Sequence, residues 1–89
     1  MKKILIVDDD PGIRELVDTT LRSEEYQIFQ AESGEKAIEI ARAEKPDLII
    51  MDIMMPGGMD GFEATHTIKA DPETKDSIIL ILSGSGQYA

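Results

Sequence analysis

The stretch ILIVDDDPG, residues 4–12, decides the fold, because four apolar residues run directly into three aspartates. Residues 4–7 are rich in β-branched side chains, and a continuous apolar run of this kind predicts a strand covered on both faces of a parallel sheet. Asp10 followed by Pro11 predicts a helix start, with an N-cap acceptor and then proline at the first helical position. Asp8 and Asp9 lie between the two elements, where clustered like charges indicate a positive ligand.

The remaining apolar runs predict three more strands. Residues 48–51 and 78–82 are continuously apolar and resemble interior strands, whereas residues 27–31 are partly polar and resemble an edge strand. An interior strand needs a neighbour on each side. We therefore expect residues 78–82 either to belong to a domain that continues beyond them or to be completed by another copy of the chain.

Amphipathic segments alternate with these strands. The first has one apolar stripe at helical spacing, formed by Ile13, Leu16, Val17, Thr20 and Leu21. Ser33 predicts the start of a second helix that ends before Pro46, and Asp60 predicts the start of a third that ends before Asp71. The order β-α-β-α-β-α-β with short connections predicts an α/β fold with right-handed crossovers and helices on both faces of the sheet.

Composition excludes several classes of protein. The 89 residues suffice for one small domain, and the absence of cysteine excludes disulfides and thiolate metal sites. No run approaches the roughly 20 apolar residues of a membrane span, so a cytoplasmic protein is expected. The net charge of −9 argues against direct binding to nucleic acid or to an anionic membrane, and it is compatible with a cation or a basic partner.

Polar residues follow the predicted strands where ligands bind in open parallel sheets, beyond the carboxyl ends. Asp8 and Asp9 follow the first strand, Asp52 follows the third and Ser83 follows the fourth. If the first and third strands are neighbours, the aspartates converge on one crevice. Clustered carboxylates repel one another unless a cation compensates, and Mg²⁺ suits such oxygen ligands. A carboxylate beside Mg²⁺ can also act as a nucleophile toward a phosphoryl group, which makes Asp52 a candidate phosphoacceptor.

Structural roles compete with these functional ones. Asp10 is better explained as a helix cap than as a ligand, and Asp8 and Asp9 could each serve as turn formers. Asp52 has a weaker structural explanation, because it interrupts the apolar run of residues 48–55, where an unpaired charge is costly. His66 is expected on an exposed helix face without a role.

Taken together, these motifs resemble the receiver domain of two-component response regulators. The resemblance rests on ILIVDDD at residues 4–10, DLIIMDIMMPGGMDGFE at residues 47–63 and IILILS at residues 78–83. It covers nearly the whole chain, and it is specific in combination rather than through the aspartate pair alone. It implies a flavodoxin-like, doubly wound parallel sheet with strand order 2-1-3-4.

The resemblance also implies a role for each matching residue. Asp52 would accept a phosphoryl group from a histidine kinase. Asp8, Asp9 and Asp52 would bind Mg²⁺ together with the backbone carbonyl of Met54. The Ser83 hydroxyl would contact the phosphoryl group, and an unknown output domain or partner would receive the signal.

The sequence departs from the family pattern in two respects. Gly57-Gly58 adds one glycine to the loop after Asp52. A receiver domain also normally continues with a fourth helix, a fifth strand that is followed by a site lysine, and a fifth helix. We therefore expect residues 1–89 to be an incomplete receiver domain with impaired phosphorylation, and to form a homo-oligomer through the exposed fourth strand.

Other functions remain open from the sequence. A self-associating fragment without phosphotransfer is one alternative. A Mg²⁺-dependent phosphatase of the haloacid-dehalogenase type is another, but it would need an aspartate where Met54 stands. A flavodoxin-like cofactor binder would need an anion-binding loop after the first strand, where the aspartates would instead repel phosphate.

Overall fold

A computed structural model describes residues 1–82 as three helices and four strands that alternate along the chain. The strands are β1 (Lys2–Val7), β2 (Tyr26–Ala31), β3 (Leu48–Asp52) and β4 (Ile78–Leu82), and the helices are α1 (Pro11–Leu21), α2 (Gly34–Glu44) and α3 (Gly61–Ala70). This arrangement confirms the α/β class and each predicted element, with β1 and β2 starting slightly earlier than the apolar runs suggested.

All four strands are parallel, and their order in the sheet is β2-β1-β3-β4. The flavodoxin-like order that the family resemblance implied is therefore confirmed, as is the placement of β2 at an edge. β1 pairs with β3 from Ile4 opposite Leu48 to Val7 opposite Met51. The carboxyl ends of β1 and β3 consequently lie side by side, at the point where the strand order reverses.

The sheet has a core on each face. On one face, α2 and α3 cover a large cluster that includes Leu5, Ile49 and Met51, all fully buried. On the other face, α1 covers a smaller cluster of Ile4, Ile6 and Ile50. No helix in residues 1–82 is long and apolar enough to cross a membrane.

The apolar stripe of α1 is only half covered, in contrast to the uniform stripe that its spacing suggested. Val17 and Leu21 pack against the smaller core. Ile13 and Leu16 are 41% and 63% exposed, and Thr20 is exposed as well. The reason is geometric, because in the described part of the chain α1 is the one helix on its face of the sheet and its outer residues have no second helix to contact.

The predicted helix starts are confirmed by capping hydrogen bonds. The side chain of Asp10 accepts from the Gly12 N–H, that of Ser33 accepts from Lys36, and that of Asp60 accepts from Glu63. Each cap satisfies a backbone N–H that has no partner within its own helix. The caps fix where each helix begins relative to the preceding strand, and so fix the turns that carry the candidate site.

Candidate functional site

Three aspartates meet at the carboxyl ends of β1 and β3. Asp8 and Asp9 follow β1 directly, and Asp52 is the last residue of β3. One carboxylate oxygen from each of the three lies within 4.8 Å of those of the other two. The convergence that the sequence predicted is therefore present, and it depends on β1 and β3 being hydrogen-bonded neighbours.

Asp8 belongs to the turn between β1 and α1. Its side chain accepts a hydrogen bond of 2.9 Å from the Asp10 N–H, which closes the turn between β1 and α1. The residue is only 9% exposed. Burial raises the pKa of Asp8 above its ordinary value, and the negative charges of Asp52 and Asp9 raise it further, while the Asp10 N–H opposes the shift.

Asp52 is buried more deeply, at 3% exposure. Burial is the main cause that raises the pKa of Asp52, and the charge of Asp9 adds to it. The Met54 N–H donates to Asp52 Oδ1 at 3.3 Å and partly offsets the rise. Because desolvation and repulsion both disfavour its charged form, this carboxylate gains stability from any cation that binds beside it.

The donor set fits a hard divalent cation. All three side chains offer carboxylate oxygens, which are the ligands that Mg²⁺ prefers, and Mg²⁺ usually retains several waters that leave room for a phosphoryl oxygen. Among residues 1–82, no ion pair with lysine or arginine reaches these three carboxylates. The repulsion within the cluster is therefore available to drive cation binding.

The other candidates from the sequence have different outcomes. Asp10 serves as the N-cap of α1, as expected, and His66 is exposed on α3. Met54 is adjacent to the cluster through its N–H, and its side chain is 63% exposed. Ser83 lies outside the described residues.

Arg14 is a neighbour of the cluster that sequence reasoning missed. Its Nη1 donates to the backbone carbonyl of Asp8 at 2.7 Å, and its Nε donates to Gln30 Oε1 at 3.1 Å. Gln30 in turn donates to Asp18 Oδ2 at 2.8 Å. Nothing in the local pattern around Arg14 marks this role, because its second partner lies on β2, sixteen residues away.

The loop between β3 and α3 is held by a second residue that the sequence did not single out. Glu35 Oε2 accepts from the Met59 N–H at 3.3 Å, and a Cβ added at Gly58 would lie 3.2 Å from the same oxygen. Gly57 has φ +90°, in the region that favours glycine. The additional glycine of this loop thus lets its backbone turn and approach the first turn of α2.

Comparison with known proteins identifies the family. The family model for the response regulator receiver domain matches residues 4–89. The chain belongs to this family. The resemblance inferred from the aspartates and the strand pattern is confirmed. Receiver domains are signalling domains of two-component systems, and their general function is to accept a phosphoryl group.

Curated relatives show how much of a receiver protein this chain represents. It is 39% identical to protein PilH of Pseudomonas aeruginosa over 87 residues, which cover 98% of this chain and 71% of PilH. It is 43% identical to sporulation initiation phosphotransferase F of Bacillus subtilis over 83 residues, which cover 93% of this chain and 66% of that protein. The chain therefore spans about two thirds of the length of these receiver proteins.

A solved structure resembles the receiver domain closely and contains ligands. Response regulator TrrA of Thermotoga maritima, in complex with Mg²⁺-BeF, has a TM-score of 0.85 and 42% sequence identity. The match covers 99% of this chain and 74% of TrrA. Receiver domains bind Mg²⁺ at an acidic pocket, and in residues 1–82 the carboxylates of Asp8, Asp9 and Asp52 form a group that could hold a metal ion.

Proposed function

We propose that Asp52 is the phosphoacceptor of this receiver domain and that it takes a phosphoryl group from a histidine kinase. The observation that carries the proposal is the convergence of Asp52 with Asp8 and Asp9 within 4.8 Å at the switch point of the sheet. Asp52 belongs to a buried strand, and its carboxylate receives a hydrogen bond from Met54, which orients it. The modified domain would then act through an output domain or a separate partner.

The proposed reaction is a phosphoryl transfer. A carboxylate oxygen of Asp52 attacks the phosphorus atom of the donor and forms a P–O bond, while the P–N bond to the donor imidazole breaks. The imidazole nitrogen keeps the electron pair of that bond and takes up a proton from solvent. When bound, Mg²⁺ would neutralise charge on the phosphoryl oxygens during this transfer. Asp8 and Asp9 would hold the cation and balance its charge.

Two further residues belong to the proposed site. The backbone carbonyl of Met54 would be an additional ligand of Mg²⁺, and its N–H already contacts Asp52. The resemblance to receiver domains implies that the Ser83 hydroxyl would contact the phosphoryl group on Asp52. A Ser83→Ala variant is expected to be phosphorylated at the same residue and at an altered rate.

Intact-mass spectrometry tests the proposal. The protein is incubated with acetyl phosphate, with and without Mg²⁺, alongside Asp52→Asn and the matched control Asp76→Asn, which removes the same charge from an exposed turn. We expect a Mg²⁺-dependent gain of one phosphoryl group in the wild type and the control, and no gain in Asp52→Asn. Persistent labelling of Asp52→Asn would overturn the assignment. The rate in the wild type also tests the expectation of impaired phosphorylation, which stays a prediction.

We also propose that the chain self-associates through β4. This strand is the outermost of the sheet in residues 1–82, and Ile78, Leu80 and Leu82 are 67%, 51% and 40% exposed. An exposed apolar strand with a free hydrogen-bonding edge favours pairing with an identical strand. A second copy of the chain supplies such a strand, and a symmetric dimer would cover both edges.

A further inference from the structure

Arg14 forms a bridge between the turn after β1 and the neighbouring strand β2. One end of its guanidinium donates to the Asp8 carbonyl at 2.7 Å, and Nε donates to the Gln30 side chain at 3.1 Å. Gln30 is itself fixed by Asp18 on α1 at 2.8 Å. All three hydrogen bonds are partly buried, so solvent competes with them less than it does at an open surface.

The acceptor that Arg14 contacts, a backbone carbonyl rather than a carboxylate, indicates its role. An arginine beside three aspartates would ordinarily pair with a carboxylate, and a guanidinium fork matches carboxylate geometry well. Here Nη1 donates to the backbone carbonyl of Asp8 instead, and the Asp8 side chain accepts from the Asp10 N–H. Arg14 therefore fixes the backbone of the turn without occupying the carboxylate oxygens that the cluster offers to a cation.

We propose that Arg14 is a positioning residue, supported by Gln30, that holds the β1–α1 turn so that Asp8 is oriented in advance to bind Mg²⁺. This inference rests on the proposed function, because it assigns a role toward the cation of that site. It adds a residue of α1 and a residue of β2 to the machinery, and neither lies in the acidic cluster. Orientation in advance strengthens binding because the turn need not be ordered when the cation arrives.

The sign of the effect separates positioning from simple electrostatics. Arg14 is positively charged and lies beside the cluster, so its field alone opposes Mg²⁺ and its removal would tighten binding. If Arg14 acts by positioning, its removal weakens binding in spite of the lost repulsion. Hydrogen bonds from charged groups are worth enough to predict about three- to tenfold weaker binding in Arg14→Ala.

The test is a titration of the full chain with Mg²⁺ alone, in which calorimetry and amide NMR measure binding. Arg14→Ala is compared with Arg42→Ala, a matched control that removes the same charge from an exposed position on α2, where Arg42 pairs with Asp71 rather than with the Gln30–Asp18 pair. Arg14→Lys keeps the charge without the fork and is expected to bind Mg²⁺ more weakly than the wild type. Gln30→Ala is expected to weaken binding by itself and to add nothing in the Arg14→Ala background.

Each outcome decides the inference. Weaker Mg²⁺ binding in Arg14→Ala, with Arg42→Ala equal to or tighter than the wild type, supports positioning. Equal or tighter binding in Arg14→Ala, or wild-type binding in Arg14→Lys, overturns it. If the wild type binds no Mg²⁺, unchanged hydrogen exchange of the Asp10 amide in Arg14→Ala overturns the inference, and faster exchange supports the hold on the turn. The proposed function fails by a different result, which is an unmodified Asp52 after acetyl phosphate treatment.

Discussion

At the scale of single residues, the buried carboxylates are the groups whose charged forms the fold destabilises. Asp8 and Asp52 are held at 9% and 3% exposure with a third aspartate beside them. Burial and mutual repulsion raise the pKa of both, which means that the folded protein disfavours their charged forms. A bound cation would offset this cost in folding stability, and the cost can be measured without the cation.

We expect Asp8→Asn to stabilise the fold at neutral pH in the absence of divalent cations. Because the folded protein holds the pKa of Asp8 above its usual 3.8, the charged form costs stability at pH values above the raised pKa. Repulsion between carboxylates at this spacing makes the expected increase in the free energy of unfolding on the order of 1 kcal/mol. The gain should decline as the pH falls through the raised pKa and vanish below 3.8. Chemical denaturation of both proteins across this pH range, with EDTA present, measures it.

Asp76→Asn serves as the control for this prediction, since Asp76 is exposed and lies in the turn before β4. Asparagine at position 8 can still accept from the Asp10 N–H, so the turn is retained. Saturating Mg²⁺ should reverse the order of stability, because only the wild type keeps the full set of ligands. A destabilised Asp8→Asn at pH 7 without Mg²⁺ would contradict the account of a repulsive cluster.

The sequence predicted the aspartates and missed the residues that hold them, for a physical reason. Asp8, Asp9 and Asp52 stand at strand ends, and parallel strands bring their carboxyl ends to one edge whatever the details of packing. Arg14 and Glu35 act through partners sixteen and twenty-four residues away, on other elements. Such contacts depend on how the elements pack, and no local pattern carries them.

At the scale of elements, the site depends on how closely α3 approaches the end of β3. A Cβ added at Gly61 would meet the carbonyl oxygen of Asp52 and would lie 2.8 Å from the Ile53 Cα. The Gly61 N–H also donates to the Ile53 carbonyl at 3.1 Å. Glycine at the first position of α3 is therefore required for the helix to pack against the strand that ends in Asp52.

We expect Gly61→Ala to destabilise the fold by about 1–3 kcal/mol, because the added methyl group meets backbone atoms that can move only if β3 or α3 shifts. The matched control is Gly12→Ala, where a Cβ would lie 3.2 Å from the side-chain oxygen of Asp10 and alanine favours the helix. Thermal unfolding of both variants measures the difference. Equal stability of Gly61→Ala and the wild type would contradict the close approach.

The sequence largely predicted the strands and helices, but it did not predict which of their residues are exposed to solvent. Continuous apolar runs predicted three of the four strands, a partly polar run predicted β2, and capping residues predicted the starts of the three helices. The apolarity of residues 78–82 predicted a strand that needs a neighbour on each side, and β4 is the outermost strand in the described part of the chain, with most of its residues exposed. Apolarity indicates that a strand needs covering, and it does not say which segment or copy supplies the cover.

At the scale of the whole molecule, the two faces of the sheet are unequal. In residues 1–82, α2 and α3 cover one face, and α1 alone covers the other. Ile78 and Leu80 lie on the same face as α1, because they are paired with Leu48 and Ile50 of the smaller core. This face and the β4 edge together form the surface that the proposed self-association would cover.

We expect light scattering to give a mass above the 9.8 kDa of one chain at concentrations of tens of micromolar. Salt should favour association, because it screens the repulsion between copies that each carry a net charge of −9. Leu80→Lys should lower the mass toward that of a monomer by placing a charge on the β4 surface. Phe62→Lys, a matched change at another exposed apolar residue, should not. A wild type that stays monomeric would contradict self-association.

The central claim, that Asp52 accepts the phosphoryl group, is tested most directly by locating the modification. After treatment with acetyl phosphate and Mg²⁺, borohydride reduces an aspartyl phosphate to a stable alcohol, and peptide mass spectrometry then identifies the altered residue. The account predicts one altered residue, Asp52, and none when Mg²⁺ is replaced by EDTA. Modification at Asp8 or Asp9 instead, or at no aspartate while the intact mass still rises, would contradict it.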